Sequence, residues 1–444
     1  MIQNRAELAG LHGRSGKIIL SALEAAIKSA EPGALVRRAV RQDGKKKLVI
    51  KGISGRTLEL DDFENIYAVG AGKATAAMTD AICKIVEVSG GAINIPYGIT
   101  TTTASEIEVT HASHPVPDEN GVRGAKKIID VVRKAKKDDL IFVLISGGGS
   151  ALMPLPARGV SLYDKKEMTS MLLASGASIH EINAVRKHLS AIKGGRLARQ
   201  AACRVVSLVL SDVIGDDLGV IASGPTFPDP STFADATRIV RKYGVNGAAV
   251  KHLEKGVKGL LQETPKQDDP AFSRVHNFII GNNAMACRGA ANFLRRNRLE
   301  VSYLGSAFGG EAKDHGRHFA HLASGMALRS AIVAGGETTV RLGSKHGRGG
   351  RNQEAALAYA IHARNSVVAA FIGTDGIDGN SDAAGAIISP KSAAIAKKVD
   401  IRRHLESHDS YRALKNMNSL IITGWTGTNV NDITILLVDD KDVA

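Results

Sequence analysis

Cysteine is scarce in this chain of 444 residues: Cys83, Cys203 and Cys287 are the whole complement. They are odd in number and far apart, which argues against a disulfide framework or a cysteine-built zinc site and suits the cytosol. Aromatic residues make up only 4%. Single-strand nucleic-acid binders need stacking platforms, and none interleaves with the basic clusters Arg37–Arg41, Lys45–Lys47, Lys126–Lys127 and Arg133–Lys137. Helix-turn-helix and zinc-finger spacings are also missing. The excess of 58 basic over 44 acidic residues, +14 in all, therefore reads as solvated surface, or as a field that draws in anionic substrates. No run approaches the ~20 apolar residues of a membrane span. The opening MIQNRAELAGLHGRSG has no apolar core of a secretory signal. The expectation is a cytoplasmic protein with neither nucleic acid nor membrane as partner.

Glycine, by contrast, is abundant, with 47 residues clustered at the ends of apolar runs, where backbone must bend or approach a ligand. Residues 11–30 read as a helix. Asp43-Gly44 between Leu35–Arg41 and Lys47–Ile50 is a hairpin signal. Strands then alternate with helices: Asn65–Val69, a helix to about Val88, a helix at Gly124–Ala135, the apolar run Asp139–Ile145, helices at Asp164–Leu173, His180–Ala191 and Gly195–Ala201, and the strand Arg204–Leu210. That alternation predicts an α/β fold, with a Rossmann-like, mostly parallel sheet covered on both faces, followed by a second α/β domain. The polar stretch 252–274 predicts a boundary, giving an N-terminal domain at 1–255 and a C-terminal one at 275–444. Strands of the latter are expected at His276–Ile280, Glu300–Tyr303, Ala331–Val333, Thr338–Leu342, Val367–Gly373 and Ile433–Val438.

One pattern recurs: an apolar strand ends in glycine, then carries a charged or hydroxyl residue into a helix start. Ligands of doubly wound sheets bind outside the carboxyl ends of strands, and helix N-termini hold anions there. In Val69-Gly70-Ala71-Gly72-Lys73-Ala74-Thr75 the third glycine of a dinucleotide fingerprint is Thr75, and no acidic residue ends the next strand. Lys73 is either a surface lysine or a functional cation. The second reading is favoured because a cation at the positive end of a helix is otherwise unfavourable. Ser146-Gly147-Gly148-Gly149-Ser150 reads as an oxyanion cradle, or as a tight turn. Asp212, directly after a buried-type strand, calls for a metal, a cation or a capping role. Arg348 and Arg351 in Gly347–Glu354 read as an anion site, or as a solvated loop. The carboxylates of Asp375, Asp378 and Asp382 do not match an EF-hand, because Ile377 stands where a ligand should, but a pair for Mg²⁺ stays open. His111 and His114, three apart, suggest a metal pair, but His114 precedes proline, which biases it to extended backbone and argues against one. Cys83 reads as core.

Together these motifs resemble the class II glycerate 2-kinases, the family with a MOFRL domain at its C-terminus. The matching segments are VGAGKAT (69–75), SHPVPDENG (113–121), LISGGGSALMPLP (144–156), INAVRKHLSAIKGGRLA (182–198), LVLSDVIGDDLGVIASGPT (208–226), GGETTV (335–340), GRGGRNQE (347–354) and GTDGIDGNSDAAGA (373–386). The resemblance implies transfer of the γ-phosphoryl of ATP to the 2-hydroxyl of D-glycerate with a divalent metal such as Mg²⁺. It also implies two α/β domains with the active site in the cleft between them, and catalytic roles for Lys73 and Arg351. Within that frame Gly147, Gly148, Gly149 and Ser150 are expected to cradle the ATP phosphates. Lys73 and Arg351 would neutralise the transferring group and the substrate carboxylate. Asp212 and Asp375 would bind metal or steer the hydroxyl. Arg186, with Lys187 and Lys193, would add positive charge toward substrate. The macromolecular partner expected, where there is one, is a second copy of the chain in a homodimer. The competing reading is an NAD(P)H-dependent hydroxypyruvate reductase, an older label in the family, against which the failed fingerprint around Gly70 argues.

Overall fold

The structure, a computed structural model, describes residues 1–44, 47–101, 104–343, 346–363, 367–396 and 400–439. Lys45 and Lys46 of the second basic cluster thus lie outside the described residues. The chain forms two units, one of Pro32–Gly281 and one that joins Met1–Glu31 to the chain from Asn282 onward.

The Pro32–Gly281 unit begins with a small antiparallel sheet of β1 (Val40–Gln42), β2 (Leu48–Lys51) and β3 (Thr57–Leu60). Val40 pairs with Ile50 across the Asp43-Gly44 turn, so the hairpin forms, while Leu35 lies in the preceding helix Pro32–Ala39. The main sheet contains β4 (Ile66–Ala71), β5 (Gly90–Pro96), β6 (Ile107–Ala112), β7 (Leu140–Ile145), β8 (Arg204–Leu210) and β9 (Val275–Gly281). Their order is β6-β5-β4-β7-β8-β9, with every neighbouring pair parallel. All six residues of β7 are buried, because a central parallel strand is covered on both faces. Helix Glu119–Lys134 supplies part of that cover. Asp118 caps it by accepting from the Gly121 N–H at 2.9 Å, and Val122, Ala125, Ile128, Ile129 and Val132 form its buried stripe. The chain builds β4, β5 and β6 to one side and then returns to place β7 against β4 on the other. The strand order therefore reverses between β4 and β7, and that reversal opens a crevice at their carboxyl ends.

The expected boundary shifts at both ends. Residues 252–274 are no linker: helix Ala248–Val257 covers their start, Asp269 caps the turn Pro270–Arg274, and Arg199 donates to Asp269 Oδ2 at 2.7 Å. β9 then extends the first sheet beside β8, so residues 275–281 stay with it. The first helix, Arg5–Ser29, is kinked at Gly13 and belongs instead with the C-terminal half. Leu8, Ile19, Leu20, Leu23 and Ile27 form a stripe that needs an apolar partner. The helix packs on Asn283–Arg296 so closely that a Cβ on Gly289 would sit 2.1 Å from Ser29 Oγ.

In that second unit the sheet runs β10 (Glu300–Tyr303), β11 (Ser330–Gly336), β15 (Asp432–Val438), β12 (Val368–Gly373), β13 (Gly385–Ile388) and β14 (Leu420–Ile421). Only β10–β11 is parallel. The expected strand Thr338–Leu342 does not form. Beyond Gly336 the chain leaves the sheet, and Thr339 makes a single bridge to Glu311. Helix Arg351–His362 is buried from Asn352 to Ala360. Among the described residues no helix is long and apolar enough to cross a membrane.

Candidate active site

The carboxyl ends of β4 and β7 are tied together by backbone. The Lys73 N–H donates to Gly147 O at 2.8 Å, and the Ala74 N–H donates to the buried Ser146 Oγ at 2.9 Å. Gly72, at φ +151, has Ser146 Oγ only 2.1 Å from where a Cβ would sit, so no larger residue allows this approach. Gly148 adopts φ +85, and a Cβ there would lie 3.0 Å from His114 Cδ2 and 3.4 Å from Lys73 Cγ. The glycine loop, Lys73 and His114 thus face one point. Among the described residues the N–H groups of Gly147 and Gly148 have no protein acceptor, which leaves them for solvent or a ligand.

Ser150 continues the loop into a hydroxyl relay. Its Oγ lies 2.8 Å from Ser223 Oγ, and Ser223 donates on to Asn183 Oδ1 at 2.9 Å. Asn183 sits one turn before Arg186 on helix Ile179–His188. Asp212 follows β8 by two residues and is half-buried, past the carboxyl end of its strand as Lys73 and the loop are past those of β4 and β7.

In the other unit Arg351 is gripped on both sides. It donates from Nη1 to Glu337 at 2.7 Å, from Nη2 to Asp432 Oδ1 at 3.0 Å, and its Nε lies 2.7 Å from Asp432 Oδ2. Burial alone would lower the Arg351 pKa. The Asp432 and Glu337 carboxylates reverse this and hold it above its usual value. Burial pushes Asp432 up to about 6 despite the guanidinium. The helix start at Gly350–Arg351, read from sequence as a free anion site, is already filled by the chain. The Asp378 carboxylate accepts from the N–H groups of Asn352 at 3.1 Å and Gln353 at 2.8 Å. Arg348 likewise donates to Asp382 at 2.8 Å, with its guanidinium 3.9 Å from the Tyr411 ring centre. Asp375 is half-buried after β12, and its carboxylate accepts from the Ile377 N–H at 3.2 Å.

Residues 18–258 match the family model described as a domain of unknown function (DUF4147), and 330–432 match the MOFRL family. A protein of Pyrococcus horikoshii named glycerate 2-kinase is 41% identical over 94% of this chain and 96% of its own. This chain belongs to the class II glycerate 2-kinase, or MOFRL-domain, family. The crystal structure of a Thermotoga maritima glycerate kinase superposes with a TM-score of 0.82 at 36% identity, covering 95% of this chain and 99% of that one. A relative from Agrobacterium vitis, 43% identical over 83% of this chain and 86% of its own, carries a hydroxypyruvate reductase name.

For this family member, the structure brings Lys73 and Gly147–Ser150 together and connects them to the Arg186 helix through Ser223 and Asn183. Arg351 and Asp375 lie in the other unit. His114 is the residue whose place the sequence did not reveal. The bias of a residue before proline toward extended backbone spoke against a metal pair but gave no hint of its neighbour Gly148. His111, on the edge strand β6, donates from Nε2 to Ile99 O at 2.9 Å.

Proposed function

We propose that this chain transfers the γ-phosphoryl group of ATP to the 2-hydroxyl of D-glycerate, giving 2-phospho-D-glycerate and ADP. The observation that carries the reading is the β4–β7 crevice, where two glycine N–H groups open beside Lys73 at the point of strand reversal. Phosphoryl transfer needs positioning and charge neutralisation more than covalent chemistry. Gly147, Gly148, Gly149 and Ser150 are assigned to the phosphate tail. Lys73 and Arg351 are assigned to the charge of the transferring group and the substrate carboxylate.

Mg²⁺ is held as a rule by one or two carboxylates plus phosphate oxygens. Asp212 and Asp375 each offer a half-buried carboxylate past a strand end, a donor chemistry that fits, and the ion would offset phosphate charge when bound. Among the described residues no three His, Cys, Asp or Glu side chains cluster as a metal cage. The same reading places the protein in the cytoplasm with small-molecule partners only.

An NAD-dependent reductase on a Rossmann site carries an acidic residue at the tip of the second strand for the ribose, and β5 ends Asn94-Ile95-Pro96. The test is a coupled assay: ADP release must depend on D-glycerate. Steady NADH oxidation with hydroxypyruvate, and no ADP, would replace the proposal with the reductase.

A further inference from the structure

Two buried lysines and a half-buried arginine of the Pro32–Gly281 unit have no counter-ion among the described residues. Lys165, on helix Leu162–Ala174, is 6% exposed and donates to Pro154 O at 2.9 Å. Lys193 is 2% exposed and donates to Ala222 O at 3.3 Å. Arg186, on helix Ile179–His188, is half-buried. Among the described residues no carboxylate pairs with any of them, whereas the neighbouring Lys187 reaches Asp229 at 3.2 Å. Among the described residues the helix therefore has a counter-ion at Lys187 and none at Arg186. Burial lowers the pKa of all three, and repulsion adds to it: Arg186 acts on Lys165, and both act on Lys193. Isolated buried charge is costly, so uncompensated cations in mutual reach ask for an anion.

A second observation points to the same spot. Asn183 is 3% exposed, and its Nδ2 has no acceptor among the described residues while its Oδ1 is held by Ser223. Ala222 and Ser223 are consecutive residues at φ 50 and φ 60. That turn sends one carbonyl to Lys193 and one hydroxyl to Asn183, and the same hydroxyl touches Ser150 of the glycine loop.

We propose that Lys165, Arg186, Lys193 and the Asn183 amide form a subsite for a compact oxyanion, a phosphoryl or carboxylate group, directly behind Ser150. The identity of what is held rests on the kinase reading; the existence of the subsite does not. The test uses the full chain and Arg186→Gln and Lys193→Gln. Removing a like charge from an unpaired cluster relieves repulsion, so both variants should keep or raise the ligand-free Tm. Calorimetric titration then uses pyrophosphate and D-glycerate separately. The expected result is at least a tenfold loss of affinity for one of them in both variants. Loss for pyrophosphate with a raised KM for ATP alone identifies the phosphoryl group. Loss for D-glycerate with a raised KM for glycerate alone identifies the carboxylate. Unchanged titrations, no wild-type binding of either probe, or a ligand-free Tm lowered by several degrees would overturn the proposal. A wild-type protein that titrates normally but releases no ADP would sink the kinase reading and leave the subsite standing.

Discussion

At the scale of single residues, Lys73 and Gly148 carry the sharpest expectations. Lys73→Met should lower kcat/KM by about 10²–10³, the usual effect of deleting one preorganised charged donor, with Tm nearly unchanged because the side chain is half-buried. An unaltered kcat/KM would remove Lys73 from the mechanism. Gly148→Ala forces a side chain into φ +85 and against the His114 ring. The left-handed conformation alone costs about 1–2 kcal/mol, so Tm should fall by several degrees and the KM for ATP should rise. Lys73 was legible because strand, glycine, cation and helix stand in series in the chain. Ala222 and Ser223 were not, since positive φ at non-glycine residues leaves no mark in composition.

Helix Arg351–His362 shows what an element hides from its own sequence. Gly-Arg-Gly-Gly-Arg reads as an open anion receptor, yet Asp378, from a loop beyond the next strand, closes the helix start. That contact exists only once β12 is in place, so local pattern cannot reveal it. The Arg351–Asp432 pair follows the same logic. Arg351→Met leaves buried Asp432 without its cation and should cost about 3–5 kcal/mol. Adding Asp432→Asn should restore most of that stability, read as a urea midpoint, while ADP release stays lost in both. A double variant as unstable as the single one would show that the pair's charge is not what matters. Strands were recovered where apolar runs are long, as in β7 and β12. β13 and β14 escaped because four and two residues carry too little periodicity, and the antiparallel order of their sheet is set by tertiary pairing.

For the whole molecule, pH is the probe. Lys165 is held near 7 in the folded chain, against an ordinary value of 10.5, first by burial and then by Arg186. Arg186 and Lys193 are the charged groups facing it. Between those two values the unfolded chain holds a proton that the folded chain has released. Stability should therefore rise with pH from about 7 to 10, by at most about 1.4 kcal/mol per unit from this group. Below 7 both states are protonated and the penalty is fully present. Urea midpoints across that range should show the slope; Lys165→Met should lessen it and leave the part due to Lys193, whose pKa burial also lowers, and pyrophosphate should lessen it too by supplying the missing charge. A slope unchanged in Lys165→Met would assign it to other groups. The α/β class was readable from alternation, but the unit limits were not. Polar residues 252–274 look like a linker, and contacts such as Arg199 to Asp269 and the pairing of β9 show that they are pinned.

The order of synthesis makes the first helix wait. Arg5–Ser29 leaves the ribosome before the surface it docks on, Asn283–Arg296, has been translated. Roughly 250 residues intervene, and at ~5–20 residues per second the delay is on the order of ten seconds or more. Throughout it the stripe of Leu20, Leu23 and Ile27 stays without its helix partner. Nascent chains arrested short of residue 282 should crosslink to holdase chaperones through that stripe, and chains arrested after β15 has emerged should not.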